Sequence, residues 1–183
     1  MTDAPAPIPP DDKDWTWVLE RPCPECGFDA GSLDVTRVGD ELRANASAWQ
    51  RVLARSDVRA RPAPTTWSPL EYACHVRDVF RLFLARLDRM LTEDGPHYEN
   101  WDQDVTAVEE RYHEQAPAAV AAELTKAAAA LAERWDTVEG DQWSRTGHRS
   151  DGAAFTVDSF ARYLLHDPVH HLWDVGAGQP QGG

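Results

Sequence analysis

The amino-acid sequence predicts an all-α fold, a four-helix bundle with a long crossover connection and an extended N-terminal arm. Three observations support this fold class. Apolar residues recur at spacings of three and four in four separate segments, helix start signals precede two of them, and no segment alternates apolar and polar residues as strands do. We expect an extended Pro-rich arm over 1–32, a bundle over 33–178 and a disordered tail over 179–183.

The first two helices are predicted at about 34–55 and 68–91. Apolar side chains recur through the first segment from Val35 to Leu53 in the pattern of an amphipathic helix. The second begins at Ser68-Pro69-Leu70-Glu71, which combines a Ser N-cap, proline at the first helical position and Glu at N3. The sequence Gly95-Pro96 ends it.

The second half of the chain predicts a polar crossover and two further helices. The crossover covers 97–113, with room for a turn or two of helix, and an Ala-rich helix follows over 117–138. A loop over 140–152 leads to Thr156, which caps the last helix. Pro168 falls inside that helix, so either the helix is kinked there or a new helical segment starts.

The composition of the chain excludes several classes of function. The 183 residues include 18 Lys and Arg against 31 Asp and Glu, a formal net charge of −13, and such a surface repels nucleic acid and anionic lipid. No apolar run approaches the roughly 18 residues of a membrane-spanning helix. The N-terminus has no basic or apolar signal segment, so we expect a cytoplasmic protein whose partners are small molecules. Exposed apolar helix faces would pair two copies into a homodimer.

Three histidines in predicted helices are candidate metal ligands. His166 and His170 are four residues apart and project from one helix face, while His75 lies near the border of the apolar arc of the second helix. Three imidazoles from two helices would leave a coordination position open, as in catalytic metal sites. Because Pro168 lies between the pair, His171 is the alternative to His170.

Several other residues are candidates to lie beside such a site. Asp78 and Asp174 are candidates to accept a hydrogen bond from a ligand histidine, with a solvated surface carboxylate as the alternative for each. Cys23 and Cys26 have the spacing of a zinc knuckle or a redox pair. No second cysteine pair or spaced histidine pair is near them in the sequence, so a turn in the arm, able to form a disulfide under oxidation, is favoured.

Two sequence runs, WSPLEYACHVRD at 67–78 and YLLHDPVHH at 163–171, resemble the DinB-like superfamily of bacterial four-helix-bundle metalloproteins. The resemblance covers about 34–176 and is greatest to an actinobacterial branch. It implies a metal site formed by His75, His166 and His170, holding Zn²⁺ first, or Ni²⁺, Co²⁺, Mn²⁺ or Fe²⁺. The chain departs from many relatives in having Leu172-Trp173-Asp174 where Arg-Gly-Gln follows the last motif, and a proline inside the motif.

The resemblance also implies chemistry. Similar proteins include thiol transferases and isomerases that use a low-molecular-weight thiol, which in actinobacteria would be mycothiol. A metal with an open position activates a thiol for attack on an electrophile, whereas water there would favour hydrolysis. A non-catalytic, stress-associated metal-binding bundle is the further alternative. Because long connections cover the ligand end of a bundle, Asp102 and Arg149 are candidate substrate contacts, and Tyr163 would place a phenol near the metal.

Overall fold

The structure is a computed structural model that describes residues 8–10 and 13–178. Over these described residues, five α-helices and three short strands follow one another. They are α1 (Val38–Leu53), α2 (Pro69–Thr92), β1 (His97–Tyr98), α3 (Gln103–Glu109), α4 (Pro117–Trp135), β2 (Thr146–Arg149), β3 (Ala154–Thr156) and α5 (Val157–Asp174).

Four of the helices, α1, α2, α4 and α5, form the predicted bundle. Their apolar faces meet in one continuous core, in which Trp49, Phe80, Leu124 and Phe160 are completely or almost completely buried. The crossover between α2 and α4 contains the short helix α3, as the polar segment predicted. This arrangement leaves one end of α2 and α5 to be covered by the crossover and by the N-terminal arm.

A small mixed sheet corrects the expectation of a purely helical fold. β1 pairs in parallel with β2 through His97 and His148, and β2 pairs antiparallel with β3. Each strand has only two to four residues, too short to show alternation in the sequence. At Gly147 an added Cβ would lie 2.7 Å from Met90 Cγ, so the strand approaches α2 closely. The sheet fastens the crossover to the loop before α5.

Side-chain capping fixes the starts of α2 and α5. Ser68 accepts a hydrogen bond from the N–H of Glu71, whose carboxylate accepts one in return from the N–H of Ser68, as the sequence predicted. Thr156 caps α5 in the same reciprocal manner with Ser159. Both helices that carry histidines of interest therefore start at well-defined positions.

Helix α5 continues through Pro168 without ending. Proline has no N–H to donate within a helix, so one intrahelical hydrogen bond is missing there. The side-chain amide of the buried Asn45, on α1, donates to the Pro168 carbonyl at 3.0 Å. The structure thus has one helix where the sequence left a kink or a second segment open.

The arm is not wholly extended. Single turns of 3-10 helix occur at Trp15–Leu19 and Ala30–Ser32, capped by Asp14 and Asp29, and both turns contact α5. The predicted tail over 179–183 lies outside the described residues, and so do 1–7, 11 and 12. In the part of the chain that the structure describes, no helix is both long enough and apolar enough to cross a bilayer.

Candidate metal centre

A cavity of about 900 Å³ opens at the end of the bundle where α2, α5, the arm and the crossover meet. Ligand pockets commonly have volumes of roughly 300–1,000 Å³. Its wall includes four of the ionisable side chains on the middle of α5. They are His166, Asp167, His170 and His171. Opposite them, α2 contributes His75, and the arm contributes Trp15. The cavity therefore brings together histidines from both sequence runs.

One cluster joins α2 to α5 through His75, Asp167 and His171. One potential ligand atom from each residue lies within 4.8 Å of the others. Oδ2 of Asp167 is 3.2 Å from Nε2 of His75 and 3.7 Å from Nε2 of His171. The two imidazole rings are nearly perpendicular, with centroids 4.9 Å apart. Two imidazole nitrogens and a carboxylate thus converge at one point in the cavity wall.

The electrostatics of this cluster suit a cation. Burial opposes the charge of Asp167, but the flanking His75 and His171 outweigh it and hold the pKa of that carboxyl well below its usual range. Burial also opposes protonation of His171, but Asp167 and Asp174 together raise the pKa of that imidazole to about 9. An ionised carboxylate between two imidazoles is a common ligand set for a divalent transition metal.

Two buried polar atoms of this cluster, on the other side of each group from the converging atoms, lack a partner in the described part of the chain. Nδ1 of His75 and Oδ1 of Asp167 have no hydrogen-bond partner among the described residues. Buried polar groups are nearly always paired, so such atoms call for an explanation such as an ion or a water molecule. Trp101 of the crossover stacks on the His75 ring, with centroids 5.4 Å apart and planes inclined by 9°. The residues fit the divalent metal that the resemblance implies.

A second cluster joins the arm to the other face of α5. Cys23, Cys26, His166 and His170 are all buried, and one potential ligand atom from each lies within 4.8 Å of the rest. Sγ of Cys23 is 3.7 Å from Nδ1 of His170. Burial raises the pKa of the Cys26 thiol to about 12, lowers that of His166 to about 4, and lowers that of His170.

The structure therefore divides the predicted triad between two clusters. His75 does not share a ligand group with His166 and His170, and its partners are Asp167 and His171. The reason is helical geometry, because successive residues are turned by about 100° while residues four apart share a face. His166 and His170 face the arm, and the pair one position later faces α2. Of the two alternative ligands, His170 and His171, it is His171 whose ring lies beside that of His75.

The structure also shows what surrounds the two cysteines. Cys23 and Cys26 do form a turn, in which Gly27 has a positive φ of 73° and its N–H donates to the Cys23 carbonyl. No spaced histidine pair lies near the two cysteines in the sequence. The pair beside them in the structure comes from α5, at least 140 residues later. The cysteine pair and the histidine pair are each visible in the sequence, but no sequence pattern predicts that they lie together in the fold. Asp167, four residues before His171, has the same helical spacing as the histidine pair and was missed because it is not a histidine.

The two carboxylates predicted to support a ligand have different positions. Asp78 turns away from the histidines and accepts hydrogen bonds from Arg77 and from the Tyr112 hydroxyl, the latter at 2.6 Å. Asp78 is thus part of a separate ionic network. Asp174 accepts from Nδ1 of His171 at 2.8 Å, the contact that commonly fixes the orientation of a metal-binding histidine.

The three predicted substrate contacts all line the cavity. Asp102 also accepts from the N–H groups of Asp104 and Val105 and so caps α3. Arg149 pairs with Asp151 and donates to the Tyr163 hydroxyl at 3.1 Å.

Sequence reasoning missed one further residue of the wall, Arg86. It lies on α2, is buried, and has its guanidinium over the Tyr98 ring. Its position within the apolar pattern of α2 was the available signal, since a buried arginine in a helix is unusual.

Comparison with known proteins agrees with this architecture. The fold is similar to that of YfiT from Bacillus subtilis, with a TM-score of 0.66 and 17% sequence identity over 78% of this chain and 83% of YfiT. YfiT is described as a probable metal-dependent hydrolase with an unusual four-helix bundle topology. Among curated proteins, none matches the chain. The predicted actinobacterial branch stays a prediction. The sequence profile of the DinB superfamily matches residues 55–175, and the chain belongs to that superfamily.

Proposed function

We propose that this protein is a metal-dependent enzyme acting on a small molecule, with a divalent transition metal held by His75, Asp167 and His171. The observation that carries the proposal is the convergence of these three ligands, within 4.8 Å of one another, in the wall of a cavity of about 900 Å³. Zn²⁺ is the first candidate, because two imidazoles and a carboxylate are an established ligand set of catalytic zinc.

The number of ligands distinguishes catalysis from a purely structural role. Structural zinc sites are closed by four protein ligands, whereas catalytic sites use three and keep a position for water or substrate. Among the described residues this cluster has three members. A divalent metal bound there would act as a Lewis acid and lower the pKa of a water or thiol that reaches it. Asp174 holds Nδ1 of His171, so Nε2 of that ring faces Asp167.

Hydrolysis is the reaction that we favour for this site. Two histidines and one carboxylate are the ligands of several zinc hydrolases, and the structurally similar YfiT is described as a probable metal-dependent hydrolase. Asp102 and Asp104 place carboxyl groups in the wall of the same cavity.

Transfer of a low-molecular-weight thiol such as mycothiol is the second candidate. The cavity volume of about 900 Å³ favours it, because the space admits a thiol beside an electrophile. The two reactions differ in whether turnover requires an added thiol.

One charged side chain of the cavity wall, Arg86, favours a substrate with an anionic group. Burial lowers the pKa of Arg86 to about 10, which leaves the guanidinium charged at neutral pH. Its Nη2 donates to the Glu99 carbonyl at 2.6 Å, and among the described residues no carboxylate forms an ion pair with it. Arg149 adds a second guanidinium to the same wall. A carboxylate or phosphate on the substrate would pair with Arg86.

The test compares metal content and turnover in untagged wild-type protein, His171→Ala and the control His113→Ala. His113 lies in the crossover, outside both clusters. Esters, amides and phosphoesters with a carboxylate are supplied as a panel, with and without an added thiol. We expect His171→Ala to lose one equivalent of metal and at least about 100-fold in kcat/KM, and His113→Ala to match wild type.

The two reactions are separated by the same measurements. Turnover without thiol supports hydrolysis, and turnover only with thiol supports transfer. Unchanged metal content and turnover in His171→Ala would overturn the assignment of this cluster. So would a wild-type protein that binds only one metal and loses it in Cys26→Ser.

A further inference from the structure

The second cluster belongs to no part of the proposed reaction. Its four residues come from two regions far apart in the sequence, Cys23 and Cys26 in the arm, and His166 and His170 on α5. All four residues are less than 10% exposed, at 1%, 8%, 5% and 7%. Two sulfurs and two imidazole nitrogens are the ligand set of a closed structural zinc site.

We infer that Cys23, Cys26, His166 and His170 bind one zinc ion in a closed tetrahedral site that fastens the N-terminal arm to α5. The inference stands whether or not the other cluster is catalytic. Binding releases the two thiol protons, and two thiolates with two neutral imidazoles balance the charge of Zn²⁺. A site without net charge can be buried at low cost, as the position of these residues requires.

The distances fit such an ion. With Zn–S of about 2.3 Å and Zn–N of about 2.0 Å, tetrahedral geometry separates a sulfur from a nitrogen by about 3.5 Å. The observed separation of Cys23 Sγ and His170 Nδ1 is 3.7 Å, close to that value. The four ligand atoms already lie within 4.8 Å of one another.

Two further observations point to a bound ion. Nε2 of the buried His166 has no hydrogen-bond partner among the described residues, although the ring is enclosed by Trp15 and Phe28 at centroid distances of 5.4 and 5.8 Å. On the other ligand histidine, Nε2 of His170 faces Glu25 Oε2 at 3.5 Å while Nδ1 faces Cys23. A carboxylate on the outer ring nitrogen is the usual support of a metal-binding histidine.

The cysteine turn has the backbone of a zinc-binding loop. The Cys23 N–H donates to the Phe28 carbonyl at 2.8 Å, and the N–H of Gly27 donates to the Cys23 carbonyl at 2.9 Å. The Phe28 N–H donates to the Cys26 sulfur, which holds the second cysteine of the turn in place. The positive φ of Gly27, 73°, suits glycine and closes the turn.

The site has a consequence for the cavity. Its zinc would hold in place the arm segment that supplies Asp14, Trp15, Thr16 and Leu19 to the cavity wall. Without the ion, the arm would be retained only by its apolar contacts and hydrogen bonds, such as that from Arg162 to the Leu33 carbonyl at 3.0 Å. The metal would therefore fasten one side of that cavity, whose wall already includes the ligands His166 and His170.

The test uses the full chain, expressed with zinc, purified reduced and without an affinity tag. Zinc is counted by mass spectrometry in wild type, Cys26→Ser and the matched control Cys74→Ser, a buried cysteine of α2 outside both clusters. We expect Cys26→Ser to lose one equivalent and Cys74→Ser to lose none. His171→Ala should retain this zinc, which separates the present inference from the proposed function.

Spectroscopy and proteolysis of the wild-type protein complete the test. Their outcome does not depend on whether a variant folds. Cobalt-loaded wild type should show the thiolate-to-cobalt charge-transfer bands of a tetrahedral site, and chelation should expose the arm to endoproteinase Glu-C at Glu20 and Glu25, which are on the surface. X-ray absorption should give Zn–S distances of about 2.3 Å. A protein that binds no zinc after incubation, a Cys23–Cys26 disulfide in reduced preparations, or zinc retained in Cys26→Ser would overturn the inference.

Discussion

His170 and His171 are adjacent in the chain, yet their rings belong to different ligand clusters, with centroids 6.0 Å apart and planes inclined by 77°. Asp174, one turn later, faces both. Its Oδ2 is 2.8 Å from Nδ1 of His171, and its Oδ1 is 3.8 Å from Nε2 of His170. A single side chain of α5 therefore contacts both candidate ligand clusters, the one toward α2 and the one toward the arm.

Asp174→Asn should weaken metal binding mainly at the His171 site. Its carboxylate is in hydrogen-bond contact with His171 but only near His170. Loss of such an outer carboxylate typically lowers metal affinity about 10- to 100-fold. We expect a loss in that range at the open site and a smaller one at the cysteine site, measured by competition with a chelator. The control is Asp158→Asn, whose carboxylate pairs with Arg162 at the start of the same helix. Equal effects at both sites would contradict the unequal distances.

Trp101→Ala should have a larger effect on kcat/KM than on the free energy of unfolding. The indole stacks on His75 at 5.4 Å and forms part of the cavity wall. Aromatic pairs contribute about 0.5–1.5 kcal/mol beyond their burial, so loss of this stacking should loosen His75 and reduce kcat/KM by roughly 2- to 10-fold. Thr106→Val is the control, because it keeps the indole ring and removes only hydrogen bonds, the one from the indole N–H at 2.8 Å and the one from the Thr106 hydroxyl to the Asp102 carbonyl at 2.9 Å. An unchanged kcat/KM in Trp101→Ala would show that the stacking does not position His75.

Sequence patterns predicted the bundle because its signals are local. Periodic apolar residues, a capping box at Ser68 and the spacing of His166 and His170 each act within one helix. Those local patterns do not predict which residues come together in each ligand cluster. That depends on which side of α5 packs against α2 and which side packs against the arm. Cys26 meets His166 only through that tertiary arrangement. The three-stranded sheet was missed for the same reason, since its strands are stabilised by partners distant in sequence.

The buried carboxylate of Glu71 should make stability depend on pH. Burial raises its pKa, but Arg61 and Ser68 together outweigh burial, so the pKa in the folded protein is below its usual value. A lowered folded-state pKa contributes stability above the unfolded pKa, about 4.3 for Glu, and that stability is lost as pH falls through the folded value.

Glu71→Gln tests this sign. At pH 7 we expect the free energy of unfolding to fall by about 1–3 kcal/mol, because Arg61 loses its charged partner at a buried position. At pH 3 the difference from wild type should shrink, since the wild-type carboxyl is then losing its charge. Urea denaturation at both pH values gives the comparison, with Glu139→Gln, in an exposed capping box, as control. A difference that grows toward pH 3 would refute the mechanism.

Asn45→Leu should destabilise α5 at the point between the two ligand pairs. The Asn45 amide donates to the Pro168 carbonyl at 3.0 Å, across the interface of α1 and α5. A buried hydrogen bond of this kind contributes about 0.5–1.5 kcal/mol, and leucine keeps a similar volume while removing the donor. We expect a loss of that size in the free energy of unfolding, measured by urea denaturation. Ser47→Ala, an exposed position on α1, is the control.

The metal sites should respond to Asn45→Leu together, unlike their response to Asp174→Asn. Pro168 lies between Asp167 and the two later histidines, so movement of the helix there displaces ligands of both clusters. Both affinities should fall by a similar factor, measured by the same chelator competition. The reason is that the missing N–H of Pro168 leaves α5 with one bond fewer at this turn, and Asn45 supplies a contact from outside the helix. A drop in stability with both affinities unchanged would show that α5 holds its geometry at Pro168 without Asn45.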